Sequence, residues 1–186
     1  MFKNSVFLFA VLALCGLASA EVVNFGRCPN CIQVLPNFQV ENYMGVWHEQ
    51  ARYPFIFEMD GKCNAANYSL EYGSVRVNNS MINLKTGLLE DVIGKATVVE
   101  NGKLRVSFSV NQFFAPSSNY WVLDTDYTSY SCVYSCQAFL FSHITYAWVL
   151  TREQNATEET IQKCMDVFTR NNVSLEPFEM TVQTDC

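Results

Sequence analysis

Residues 104–110 read Leu-Arg-Val-Ser-Phe-Ser-Val, apolar and polar in strict alternation. Side chains of a strand alternate between faces, so this segment is a strand with one buried face. Val75-Arg76-Val77 repeats the pattern on a smaller scale. Turn signals at Tyr72-Gly73, Thr86-Gly87 and Asn101-Gly102 separate neighbouring segments. The pattern gives eight strands, at about 44–53, 63–71, 74–82, 88–98, 103–112, 119–124, 129–137 and 144–152. In the last of them, Tyr146-Ala147-Trp148-Val149-Leu150 is apolar on both faces, so its outer face needs a cover. The next segment supplies one. Over residues 157–170, Ile161, Cys164, Met165 and Phe168 fall on one helix face. Asn155 is placed to cap that helix, with Glu158 three residues on. Glu158, Glu159 and Arg170 suit the helix dipole.

The predicted fold class is therefore all-β, an eight-stranded antiparallel up-and-down β-barrel with one C-terminal α-helix packed on its outside. Closing the sheet removes its edges. A two-sheet sandwich accounts for the strand count as well, but a single late helix is unusual there. An eight-stranded barrel has room for one small ligand.

The chain begins with Lys3, an apolar run from Val6 to Leu17, then Ala18-Ser19-Ala20. This is the pattern of a secretory signal peptide over 1–20, leaving one domain over 21–186. The run is about 12 residues, short of the ~20 that span a bilayer. The composition is acidic, 12 Lys+Arg against 18 Asp+Glu, and no basic stripe points to nucleic acid. With Cys15 in the leader, seven cysteines remain: Cys28, Cys31, Cys63, Cys132, Cys136, Cys164 and Cys186. In a secreted, extracellular chain these are read first as disulfides. Sequons at Asn67, Asn78, Asn155 and Asn172 suit the same compartment and are glycosylation candidates. The stretch Tyr130–Cys136, "YSCVYSC", puts Cys132 and Cys136 on one face of the seventh strand.

Catalysis finds little support. The two histidines, His48 and His143, form no metal spacing, and no nucleophile elbow or P-loop is present. No enzyme activity and no metal site are expected.

Three further motifs lie on these elements. Asn37-Phe38-Gln39-Val40-Glu41-Asn42-Tyr43-Met44-Gly45-Val46-Trp47 enters the first strand. Thr125-Asp126-Tyr127 sits before the seventh, and Arg152 ends the last. Together they resemble the three signatures of the lipocalins, in order and over nearly the whole chain. Within that family, Cys63-Asn64-Ala65-Ala66-Asn67-Tyr68-Ser69-Leu70 resembles the apolipoprotein D and insect bilin-binding branch. Residues 125–136 resemble the crustacyanins.

The resemblance implies that Trp47 closes the barrel floor with Arg152 across its face, a cation–π contact of roughly 0.5–2 kcal/mol. It implies the disulfides Cys28–Cys136 and Cys63–Cys186. Cys31, Cys132 and Cys164 are then left. A helix on the outer wall would bring Cys164 to Cys132, and crustacyanin-like chains point the same way. Cys31–Cys132 is the alternative, as are two buried free thiols. Under the first pairing Cys31 is the odd thiol, free or bridging to another chain.

The resemblance also implies a carrier of a small hydrophobic ligand: a bilin or carotenoid pigment, or alternatively a fatty acid or steroid. No cofactor is required, and a bound bilin or carotenoid chromophore is compatible with the resemblance. A homo- or hetero-oligomer, up to a larger coloured assembly, is compatible with it. Carry-over places Tyr68, Asn79, Trp148 and Leu150 in the ligand cup. Strand phase adds Phe108, Val110 and Tyr120, with ordinary barrel core as the competing role for each. His143 is a further candidate if a bulge turns it to the mouth. The loops Pro54-Phe55-Ile56-Phe57 and Phe113-Phe114-Ala115-Pro116 are candidates to overhang it.

Overall fold

The computed structural model describes residues 21–108 and 117–186. The signal-peptide segment, Val110 and the loop 113–116 lie outside the described residues. Eight strands form the barrel: β2 (Gly45–Arg52), β3 (Gly61–Glu71), β4 (Ser74–Asn83), β5 (Leu89–Glu100), β6 (Lys103–Phe108), β7 (Ser118–Thr125), β8 (Tyr130–Ala138) and β9 (Ser142–Thr151). Each pairs antiparallel with the next, and β9 pairs back to β2, so the sheet closes. Two short strands lie outside the predicted set. β1 (Val22–Phe25) pairs with the start of β9, and β10 (Glu179–Met180) with the end of β2. A short helix, α1 (Val40–Tyr43), leads into β2.

The C-terminal segment closes a seam. β2 and β3 pair from Gly45↔Tyr68 to His48↔Ala65 and then part. There Thr181 donates its amide to Gln50 O at 2.9 Å, and Cys63 donates to Val182 O at 2.8 Å. The tail thus satisfies backbone groups that two separated strands would leave open.

Alternation sorts the core into two clusters. Trp47, Tyr68, Val77, Val106, Val133 and Leu150 point inward. Leu123, Cys132, Tyr134, Cys136, Ala147 and Val149 point outward; they are covered by the helix α2 (Glu158–Arg170), through Cys164, Val167 and Phe168, together with the N-terminal segment, through Cys28, Ile32 and Val34. That cover explains the doubly apolar β9. The helix is capped by Thr157, which accepts from Thr160 N, and not by Asn155. Asn155 and Thr157 are both good cap residues. The helix starts at Glu158, so the acidic pair falls in its first turn and Glu158 is not three residues from the cap.

Three disulfides fasten the outside: Cys28–Cys136, Cys63–Cys186 and Cys132–Cys164. Cys31 is free and exposed. Cys132 therefore joins the helix rather than Cys31. Both half-cystines of "YSCVYSC" serve the outer face and leave the inner one clear.

Candidate functional site

In an up-and-down barrel alternate connections share an end. The β3–β4, β5–β6 and β7–β8 turns lie with α1 at the closed end. The β2–β3, β4–β5 and β8–β9 connections lie at the mouth.

The closed end is built around Trp47, fully buried. The Arg152 guanidinium lies 3.8 Å from its ring centroid. Arg152 also donates to Tyr127 O (3.0 Å), Val46 O (2.8 Å) and Met44 O (2.8 Å). Gly45 has φ +93°, and a Cβ there would come to 3.3 Å from Arg152 Nη1, so the glycine of the motif makes room for the arginine. Asp126 organises the β7–β8 turn by accepting from the amides of Thr128 (3.1 Å), Ser129 (2.7 Å) and Tyr130 (3.1 Å). Burial pushes its carboxyl up, but these bonds and the Ser129 hydroxyl outweigh it and hold the pKa below the usual value.

Above this floor the predicted cup residues split. Tyr68 and Leu150 are buried in the inner core, and Phe108, Tyr120 and Trp148 pack against it half-buried. The structure thus brings five of the seven together. Asn79 shares the inward phase of Val75 and Val77, and its Oδ1 is buried without a protein hydrogen bond. Gly94 keeps the β5 wall open for Phe108, whose ring would lie 2.6 Å from a Cβ at that position. His143 does not face the mouth. It sits in regular register opposite Asn24, on the outward phase of Ala147 and Val149, with Nδ1 3.1 Å from Gly26 O. Phe55 of the β2–β3 loop contacts Tyr146 and Trp148 edge-on, so this loop does lean over the interior.

Two polar groupings were missed from the sequence. One is a hydroxyl chain: Tyr43 to Ser131 (2.8 Å), Tyr43 to Tyr120 (2.9 Å) and Tyr120 to Tyr68 (3.0 Å). Burial raises all three phenols, Tyr43 to about 12, so they remain neutral donors and acceptors. The other is ionic. Glu49 follows Trp47 on the inward phase, and a bulge between Glu49 and Ala51 turns Arg52 inward as well, opposite Trp148. Arg52 Nη1 donates to Glu49 Oε1 (3.1 Å) and Nη2 to Glu58 O (2.8 Å). Trp148 Nε1 donates to Glu58 Oε2 at 3.3 Å. Burial raises Glu49 against the pull of Arg52 and Thr181. Burial and then the neighbouring Glu49 carry Glu58 well above the ordinary carboxylate range. The inward phase of Glu49 was a readable signal; the bulge that adds Arg52 was not. A separate cleft beside Cys28–Cys136, lined by Arg105, Ser117, Asn119 and Gln137, lies on the outer wall.

Among the described residues nothing in this interior pairs a nucleophile with a base, and no group of three His, Cys, Asp or Glu could hold a metal ion. The arrangement is that of a binding cup: aromatic walls, a few polar handles and a closed floor.

Residues 38–183 match the family model of the lipocalin-like domain. The chain belongs to the lipocalin family. This lipocalin is 37% identical to apolipoprotein D of Bos taurus over 182 residues, covering 95% of this chain and 93% of that protein. Among solved structures, insecticyanin from the tobacco hornworm Manduca sexta superposes with a TM-score of 0.77 at 25% identity, covering 87% of this chain and 88% of that one. H1 crustacyanin from the lobster Homarus americanus shares the fold, with a TM-score of 0.72 at 24% identity over 88% and 91% of the two chains. No helix among the described residues is long and apolar enough to cross a membrane.

Proposed function

We propose that this lipocalin is a secreted carrier that holds one small hydrophobic ligand in the barrel cup, with a bilin or carotenoid pigment as the favoured ligand. The observation that carries this reading is the inner face itself. Tyr68, Phe108, Tyr120, Trp148 and Leu150 converge there above a floor closed by Trp47. Asn79 and, by strand phase, Val110 complete the proposed lining. Flat aromatic walls suit a conjugated ligand, and the resemblance to bilin-binding proteins and crustacyanins implies the same class. The role is binding rather than catalysis.

The second reading is a fatty acid or steroid carrier, and the likeness to apolipoprotein D favours it. Three disulfides fit an oxidising compartment and hence secretion. Asn67, Asn155 and Asn172 are exposed and suited to carry glycans, and Asn78 is half-buried. The absorbance spectrum of protein purified from its source separates the two readings. A visible band that stays with the folded protein is expected, and a colourless preparation carrying extractable lipid would replace the pigment with the second reading.

A further inference from the structure

The β2–β3 loop is exposed on both sides of one inward residue. Ile56 is 57% exposed, Phe57 76% and Met59 53%. The Glu58 side chain between them is 18% exposed and reaches back into the wall. Its Oε2 accepts from Trp148 Nε1 on β9 and lies 3.7 Å from Arg52 Nε on β2, while its carbonyl accepts from Arg52 Nη2. One side chain therefore ties an apolar mouth loop to two wall strands, and one of its partners is Trp148, a proposed lining residue.

We propose that Glu58 is the positioning residue of the mouth: its carboxyl latches the loop 54–60 and the Trp148 indole over the cup, and the latch lets go when that carboxyl ionises. The inference rests on the cup reading for its consequence, admission of ligand.

Burial of Glu58 sets the sign, reinforced by Glu49 and opposed by the Trp148 indole and Arg52, which both favour the ionised carboxyl. The groups that face it are Glu49 and Arg52 from β2, Trp148 from β9, the neutral phenol of Tyr68 from β3, and Thr181 from the C-terminal segment, which bonds Glu49 and Arg52. Two carboxyls thus share one guanidinium. With a proton on Glu58 the cluster is balanced. Without it a buried excess negative charge remains beside Glu49, which is costly. Farther along the loop, Asp60 pairs with Lys85, and both are solvated enough to leave the balance unchanged. A group raised in the seated state contributes fully below its free value, about 4.3 for Glu, and the contribution is lost as pH rises through the seated value. The latch is closed in acid and opens toward alkaline pH.

The test uses ligand-free protein, so its outcome does not depend on whether the cup takes ligand. Amide hydrogen exchange of 54–60 is measured across pH and corrected for intrinsic exchange. The Trp148 indole N–H resonance is followed alongside. Wild type is expected to lose loop protection by about tenfold per pH unit within the window, with the indole resonance moving in step. E58Q keeps an acceptor for the indole and cannot ionise, so its protection and resonance should be flat with pH. E49Q removes the repelling partner, so its loop should open less at high pH; it also serves if E58Q does not fold. A flat wild-type profile, or an E58Q profile that slopes like wild type, overturns the latch.

Discussion

Arg152→Ala tests the floor of the cup. The guanidinium lies 3.8 Å from the Trp47 centroid, a partly desolvated cation–π contact of about 1 kcal/mol. It also supplies good hydrogen bonds to the carbonyls of Tyr127, Val46 and Met44. Water can reach part of this site, so each bond counts at the lower net value, about 0.5–1 kcal/mol. The sum is about 3 kcal/mol, or a fall in Tm of roughly 6–12 °C for a chain of this length. Differential scanning calorimetry reads it. Arg152→Lys keeps the charge and loses the planar fork, so about half the loss should return. Arg152→Met keeps a stem over the indole without donors and should stay close to Ala. An Arg152→Ala Tm within roughly 2 °C of wild type would refute the reasoning, as would Arg152→Lys matching wild type.

Other perturbations probe the remaining supports. Replacing Cys132 and Cys164 together by Ala should cost about 3–4 kcal/mol from the loop they close, read as a denaturant midpoint shift with the other two disulfides still intact in non-reducing peptide maps. Tyr43→Phe breaks the hydroxyl chain between Ser131 and Tyr120 and should cost about 1–3 kcal/mol in urea unfolding; a neutral result would show that the chain re-forms without it. Asp126 has its pKa depressed by the turn amides, so its contribution is full above the free value near 3.9 and is lost as pH falls through the folded value. Asp126→Asn should therefore flatten the acid limb of the Tm–pH curve, and an unchanged limb would count against it.

The barrel was legible because its strands announce themselves. Leu104–Phe108 alternates, and the break in alternation at Tyr146–Leu150 correctly demanded a covering helix. What stayed hidden has particular causes. The bulge after Glu49 shifts the phase of β2, so simple alternation sends Arg52 to the wrong face. β10 is two residues long, and the seam it fills exists only once β2 and β3 have parted. Glu58 sits in a loop, where a carboxylate reads as solvated until the fold brings Arg52 and Trp148 to it. His143 kept the outward phase that plain alternation gives it, and no bulge turned it. For the cup, family likeness and phase agree on where Asn79, Trp148 and Leu150 point, while the tyrosine chain depends on three-dimensional proximity of Tyr43, Tyr68 and Tyr120.

The proposed function requires that the inner face of the barrel hold the ligand. The most direct measurement is chemical-shift mapping of isotope-labelled, ligand-free protein titrated with biliverdin, astaxanthin and palmitate. Saturable one-to-one binding of at least one of them is expected, with shifts centred on Tyr68, Phe108, Tyr120, Trp148 and Leu150. Absence of binding by all three, or shifts confined to the outer wall around Arg105 and Asn119, would contradict the proposed function.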